Sequence, residues 1–350
     1  LSFHGTSHPE EQAFCVSGLC SEQNTHCRQH LSYDDSELEK PVKMLNGIVV
    51  PTITPLTPDG RLDEGGLRVL LARILDGGIS GIFALGTTGE GPALPRWIRR
   101  RAVEVTCETV EGRVPVVVAA IETSVDDVLR TSAHASTSGA DAIAIAPPFY
   151  LSLGQEDTVR FGRQIADESA LPAYLYNVPY ANLPQFNLQV LEQLSGLDRI
   201  LGLKDSSGNF EQLQHAVQIF AGRPECSVMV GPERMLLEAL RAGADGGVSG
   251  GANLLPSLYA SLYRAHLQGE HSLTDDLQAR VSLVEQDFYG IGAAESSLVR
   301  GLKTALELQG IGTAVMAPPY EAPNQANYDS VRKALLHWKD LAVSGTPVIV

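Results

Sequence analysis

The segment Gly139-Ala140-Asp141-Ala142-Ile143-Ala144-Ile145-Ala146 carries the first decision about the fold. Its glycine can take the left-handed conformation that stops a helix, and the short apolar run behind it reads as a buried strand. The joint recurs as Gly243-Ala244-Asp245 before Gly246-Gly247-Val248-Ser249, and in related form as Gly77-Gly78-Ile79-Ser80-Gly81. Working outward from these joints, candidate strands run over Gly47 to Thr54, Gly81 to Leu85, Pro115 to Ile121, Ala142 to Ala146, Ala173 to Asn177, Ile200 to Lys204, Ser227 to Val230 and Gly246 to Ser249. Between them lie helical patterns beginning near Asp63, Pro95, Ser124, Gln155, Asn187, Asn209, Glu233 and Leu255, most of them opened by a residue able to cap backbone amides. Strands alternating with helices make parallel βαβ units. Eight such units over about 220 residues fit a closed (β/α)8 TIM barrel better than an open sheet. A doubly wound sheet is the alternative, but no G-x-G-x-x-G follows the first strand. Three further amphipathic stretches, roughly Leu273 to Tyr289, Glu295 to Leu308 and Gln325 to Val343, form a C-terminal helical extension. The expected organisation is an N-terminal extension over 1–45, a barrel over 46–270 and C-terminal helices over 271–350.

The 350 residues are 44% hydrophobic and 19% charged, a globular composition that excludes a disordered or fibrous chain. The 26 Lys and Arg against 41 Asp and Glu leave a net charge of -15, which repels phosphate backbones and anionic headgroups. No nucleic-acid or membrane partner is expected. Of five cysteines, Cys15, Cys20 and Cys27 sit in the polar, aperiodic extension, too few in all to staple a chain of this length, so a reducing compartment fits best. Together with His26 and His30 they lack the paired spacing of a zinc knuckle, and no metal is expected. Met44 stands immediately before the first strand, where a functional chain could begin. No basic head leads into an apolar stretch, and runs such as Val114 to Ile121 fall far short of the ~20 residues of a membrane helix. The expectation is a cytoplasmic protein.

In a parallel barrel the loops after the strands form one mouth, so polar residues at strand C-termini are the candidates for chemistry. Lys204 ends an apolar strand. Alternation places it on one face with Gly202 and Ile200, with the glycine leaving room beside the amine, unless the lysine snorkels to solvent at the rim. Tyr176 ends the preceding strand in the same orientation, as a proton relay beside the amine or as a packed core aromatic. The loop Gly86-Thr87-Thr88-Gly89-Glu90-Gly91 can converge backbone amides and two hydroxyls on a small carboxylate, though an ordinary βα turn uses the same residues. After the fourth strand, Pro147-Pro148-Phe149-Tyr150 delivers Tyr150 to the mouth or packs it on the next helix.

These segments, with Tyr176-Asn177-Val178-Pro179, Gly202-Leu203-Lys204-Asp205 and Gly247-Val248-Ser249 in that order, resemble the dihydrodipicolinate synthase / N-acetylneuraminate lyase superfamily from about Gly47 to the C-terminal helices. The resemblance implies a class I, Schiff-base aldolase or lyase of pyruvate or of a 2-oxo acid that cleaves to it, working without a cofactor. It implies Lys204 as the imine-forming lysine and Tyr176 as acid/base. Thr87 and Thr88, with Gly86, would grip the substrate carboxylate, the threonines also helping to relay the proton, and Tyr150 would be a catalytic tyrosine lent across a dimer interface, in a homodimer or homotetramer. A free lysine has a pKa of about 10.4, so bringing one into the catalytic range by burial takes ~4 kcal/mol.

Dihydrodipicolinate synthases carry an arginine two residues after the proline of the Tyr-Asn-Val-Pro motif, followed by Thr-Gly. Here the run is Pro179-Tyr180-Ala181-Asn182-Leu183, with Ala181 at that place, and a bidentate carboxylate clamp is lost. Sugar-acid aldolases also lack the arginine and use the loop after the seventh strand, here Gly231-Pro232-Glu233-Arg234, together with residues from Val248 and Ser249 to Gly251. Glu233 either meets a polyhydroxylated partner or caps the following helix. The favoured expectation is an aldolase of 2-oxo-3-deoxy sugar acids or related hydroxy-2-oxo acids. Dihydrodipicolinate synthase with an altered clamp is second, and a non-catalytic 2-oxo acid binding paralogue third.

Overall fold

A computed structural model describes residues 44–151, 153–178, 185–291 and 296–342. Eight parallel strands close into a barrel in chain order: β1 (Gly47–Pro51), β2 (Gly81–Ala84), β3 (Val116–Ala120), β4 (Ala142–Ile145), β5 (Ala173–Asn177), β6 (Ile200–Asp205), β7 (Ser227–Val230) and β8 (Gly246–Val248), with β8 pairing back onto β1. Between and after them run α1 (Glu64–Asp76), α2 (Arg96–Val110), α3 (Val125–Ser138), α4 (Gln155–Glu168), α5 (Leu188–Leu194), α6 (Phe210–Phe220), α7 (Leu236–Arg241) and α8 (Pro256–Leu267). The C-terminal extension is α9 (His271–Val284) continued by a π turn to Tyr289, then α10 (Ser297–Leu308) and α11 (Gln325–Ala342). No described helix is long and apolar enough to cross a membrane. The cysteines and histidines of the N-terminal extension lie outside the described residues, as does Ala181.

The repeated Gly-Ala-Asp joint has one physical explanation in both copies. Gly139 and Gly243 each adopt φ of +95°. The following alanine amides reach back to Ala135 and Ala239 carbonyls at 3.0 Å, closing the last helical turn. The aspartate then turns sideways: the Asp141 carboxylate accepts from the Val116 amide at 2.8 Å, and that of Asp245 from the Val228 amide at 2.7 Å. Each joint thus stops a helix and binds an amide at the start of a neighbouring strand, the first residue of β3 and the second of β7. At helix starts, the side chains of Asp63, Ser124, Asn187 and Asn209 accept from backbone amides three residues on, as their types predict.

Strand alternation divides the apolar residues into an outer layer under the helices and a barrel interior. Inside, the small Ala119, Ala142, Ala144 and Ala146 leave volume for Phe83, Tyr174 and Tyr176. Leu45 joins this interior core, and its amide donates to the Tyr174 hydroxyl at 3.0 Å. The barrel's packing therefore begins one residue before the expected boundary. β1 stops at Pro51 instead of Thr54, because the Asn253 side chain binds both the Pro51 carbonyl and the Ile53 amide and draws the chain out of the ladder.

The expected facing on β6 needs correction. Between β5 and β6 the pairing advances from Ala173 and Ile200 to Leu175 and Leu203, so β6 holds one extra residue. Gly202, at φ +130°, takes up that bulge, and a Cβ there would lie 1.9 Å from the Ser227 carbonyl oxygen. Ile200 and Leu203 consequently face the helices while Leu201 faces the interior. Gly202 is needed for the approach of two backbones, not to make room beside the lysine. The bulge aims Lys204 inward.

Candidate active site

The strand C-termini open into a cavity of about 880 Å3, walled by Thr87, Thr88, Tyr176, Lys204, Gly231 and Val248 from the barrel and by Tyr289, Val299, Met316 and Tyr320 from the C-terminal segment. Lys204 is only 6% exposed. Its Nζ lies 3.9 Å from the centroid of the Tyr176 ring and 4.2 Å from that of Phe83. Burial strips the amine of water, and the two π faces lie against its charged form. Tyr176 is the register partner of Lys204, and its ring meets Phe83 edge to face, with centroids 5.6 Å apart. Its hydroxyl stands 3.3 Å from Thr87 Oγ1. Amine, phenol and threonine hydroxyl are therefore contiguous at the cavity floor, an arrangement that can pass a proton between a bound molecule and the phenol.

The threonines are delivered by a tight turn after β2. The Glu90 amide bonds the Thr87 carbonyl at 3.0 Å, and the Thr54 hydroxyl holds the Gly89 carbonyl at 2.8 Å. A Cβ on Gly91 would fall 1.9 Å from the Leu85 carbonyl oxygen, so only glycine permits this closure. Leu85 and Glu90 adopt left-handed φ of +60° and +54° without being glycine, which strains the turn by ~1–2 kcal/mol each.

Beneath the mouth, Asn177 Nδ2 donates to Asp205 at 2.9 Å and the Ser207 hydroxyl donates to the same carboxylate at 2.7 Å. Burial pushes the Asp205 carboxyl up against these two hydrogen bonds. The pair ties together the strand ends that carry Tyr176 and Lys204.

Other residues singled out in the sequence fall differently. Gly86 is not part of the cavity wall; it passes so close to Phe83 that a Cβ would come within 2.6 Å of the ring. Ser249 also lies off the wall. β8 turns Val248 inward, whereas a Cβ on Gly247 would meet Leu236 of the outer layer at 2.6 Å and Ser249 Oγ at 3.3 Å, so Ser249 faces the helices with Gly247. Tyr150 is 86% exposed and does not line this chain's cavity. Glu233 reaches the wall, but its carboxylate neither caps the helix that follows it nor stands free. The Gly251 amide donates to it at 2.9 Å, and the Tyr289 and Tyr259 hydroxyls donate as well. Burial raises its pKa above the usual carboxylate range, opposed by those three donors. Among the described residues no cluster of His, Cys, Asp and Glu is arranged to hold a metal.

Residues not anticipated are Phe83, Tyr259, Tyr289 and Lys303. Parity along β2 points Phe83 inward and was available in the sequence. Tyr259 packs from α8, and Tyr289 and Lys303 from the C-terminal extension; none of the three leaves a local signal.

The comparisons agree with this fold. Residues 44–338 match the model of the dihydrodipicolinate synthetase family. An uncharacterized DapA-like lyase of Halobacterium salinarum is 32% identical over 293 residues, 83% of this chain and 92% of that one. The dihydrodipicolinate synthase of Bacteroides thetaiotaomicron superposes with a TM-score of 0.81 at 35% identity, covering 84% of this chain and 98% of the other. YagE of Escherichia coli K12, described as a putative 2-dehydro-3-deoxy-D-gluconate aldolase, was solved in complex with pyruvate; it superposes with a TM-score of 0.79 at 26% identity over 84% of this chain and 99% of its own. With its closed parallel barrel, C-terminal helices and inward lysine, the chain belongs to the dihydrodipicolinate synthetase family, whose members are class I aldolases and lyases.

Proposed function

We propose that this enzyme forms a Schiff base between Lys204 and pyruvate, or a 2-oxo acid that cleaves to pyruvate, and that its substrate is a 2-oxo-3-deoxy sugar acid or a related hydroxy-2-oxo acid. The observation that carries the reading is the buried amine of Lys204 set against Tyr176, whose hydroxyl neighbours Thr87. The neutral amine attacks the C2 carbonyl of the 2-oxo acid, and loss of water leaves an iminium. Tyr176 supplies the proton that turns the carbinolamine oxygen into a leaving water. In the cleavage direction the phenolate accepts the C4 hydroxyl proton, the C3–C4 bond breaks, an aldehyde leaves, and the electron pair passes through the enamine to the iminium nitrogen. Protonation at C3 and hydrolysis release pyruvate and regenerate the amine. Thr87 and Thr88, at the turn after β2, hold the substrate carboxylate, with Gly231 and Val248 bounding the space for the remaining chain.

The sugar-acid preference rests on Ala181 at the arginine position and on the likeness to YagE. Dihydrodipicolinate synthesis from aspartate semialdehyde is the second reading, favoured by the 35% identity to the Bacteroides enzyme. Tyr150 lies between the exposed Phe149 and Leu151, a surface apolar enough to meet a second copy of the chain. We assign it to the neighbouring subunit's site in a homodimer or homotetramer. The test is a substrate panel with pyruvate detection and product chromatography. Aldol cleavage of 2-oxo-3-deoxy sugar acids without condensation of aspartate semialdehyde is expected. Efficient condensation alone would establish the second reading, and binding of 2-oxo acids without turnover of any would reduce the chain to a binding protein.

A further inference from the structure

One buried ion pair at the edge of the cavity is not used in the chemistry above. Lys303, on α10, pairs with Glu90, whose side chain is 1% exposed against 0% for the lysine. The Glu90 carboxylate also accepts from the Ala317 amide at 2.8 Å, and Lys303 Nζ donates to the Val315 carbonyl at 2.8 Å. Both backbone partners flank Met316, which lines the cavity. At its other end Glu90 closes the threonine turn: its amide holds the Thr87 carbonyl, and its own backbone is left-handed. A buried charge pair is an expensive way to join two elements that an apolar contact would join as well, and its best-attested use is to enforce one geometry. Here the geometry enforced is that of the residue that fixes Thr87 and Thr88.

The geometry assigns to Lys303 the role of a positioning residue for the carboxylate-binding turn, acting through Glu90 from a helix outside the barrel. This rests on the proposed 2-oxo acid site. Lys303 touches no reacting atom; by holding the Glu90 carboxylate it keeps both threonines at the spacing a bound carboxylate requires. Binding of the 2-oxo acid and anchoring of the Val315–Ala317 segment to the ion pair are therefore coupled, and the coupling is reciprocal.

The test is borohydride trapping of the imine as a function of pyruvate concentration, read by intact mass, which needs no second substrate. The wild type is compared with the double variant E90Q/K303M, which leaves no unpaired buried charge, and with E90Q alone. Both variants are expected to need at least tenfold more pyruvate for half-maximal trapping while reaching the same plateau. An unchanged half-saturation, or a fall in plateau that follows a fall in melting temperature, would overturn the assignment. A measurement on the wild type covers the case of poorly folded variants: hydrogen exchange at the Ala317 amide is expected to slow on saturation with pyruvate, and an unchanged rate contradicts the coupling. If the wild type itself traps no pyruvate, the 2-oxo acid reading has failed, a result distinct from the failure of the coupling.

Discussion

Tyr176→Phe removes the phenolic hydroxyl and nothing else. The ring that remains keeps its edge-to-face contact with Phe83, at 5.6 Å between centroids, and its face 3.9 Å from Lys204 Nζ. The hydroxyl's approach to Thr87 is long, 3.3 Å, and Thr87 is exposed enough to be hydrated in its place. Loss of such a hydrogen bond costs about 1 kcal/mol, a shift of ~2–4 °C in melting temperature for a domain of this size. The catalytic loss is of another order. A positioned acid/base group contributes ~10²–10⁴-fold, or ~3–5 kcal/mol of transition-state stabilisation. Turnover measured by coupled pyruvate detection should fall by that factor, while borohydride still traps an adduct on Lys204, more slowly. Turnover within about threefold of wild type in a folded variant is well below the range for a lost acid/base group and would refute the assignment of Tyr176.

Gly202→Ala puts a methyl 1.9 Å from the Ser227 carbonyl oxygen at a φ of +130°, so equilibrium unfolding should show a loss of more than about 3 kcal/mol, or no folded protein. Asp141→Ala and Asp245→Ala each leave a buried strand amide without its acceptor; urea unfolding should give about 1–3 kcal/mol for each, additive in the double variant. Glu233 tests the pH dependence. Its folded pKa is raised above the reference value of 4.5, so the native state binds the proton more tightly than the unfolded chain, and this group's contribution to stability falls as pH rises from 4.5 through the raised value. Asp205 and Asp245 are shifted the same way and persist in the variant, so Glu233→Gln should flatten, without abolishing, the decline in melting temperature over that window. An identical slope in both proteins would show that Glu233 titrates normally.

The barrel was legible because its signals are local. Gly139 and Gly243 stop helices by their own conformation, and Ser124 and Asn209 cap from three residues away. Lys204 and Tyr176 were found as register neighbours, but the parity assigned along β6 was wrong upstream of Lys204. Strict alternation assumes a regular ladder, and the bulge at Gly202 is set by the crowding of β7 against β6, a contact the sequence of β6 does not encode. The facing of Ser249 was missed for a similar reason: β8 ends one residue short of it, and its side chain follows Gly247 outward. The pairing of Glu90 with Lys303 joins residues more than 200 positions apart through buried charge, and a single sequence carries no mark of it.

The most direct examination of the whole account is reduction of the protein with borohydride in the presence of pyruvate, followed by peptide mapping of the modified lysine. One reduced pyruvate per chain, located on Lys204 and absent from Lys204→Met, is the predicted result. A folded wild-type protein that stays unmodified, or that carries the adduct on a different lysine, would contradict it.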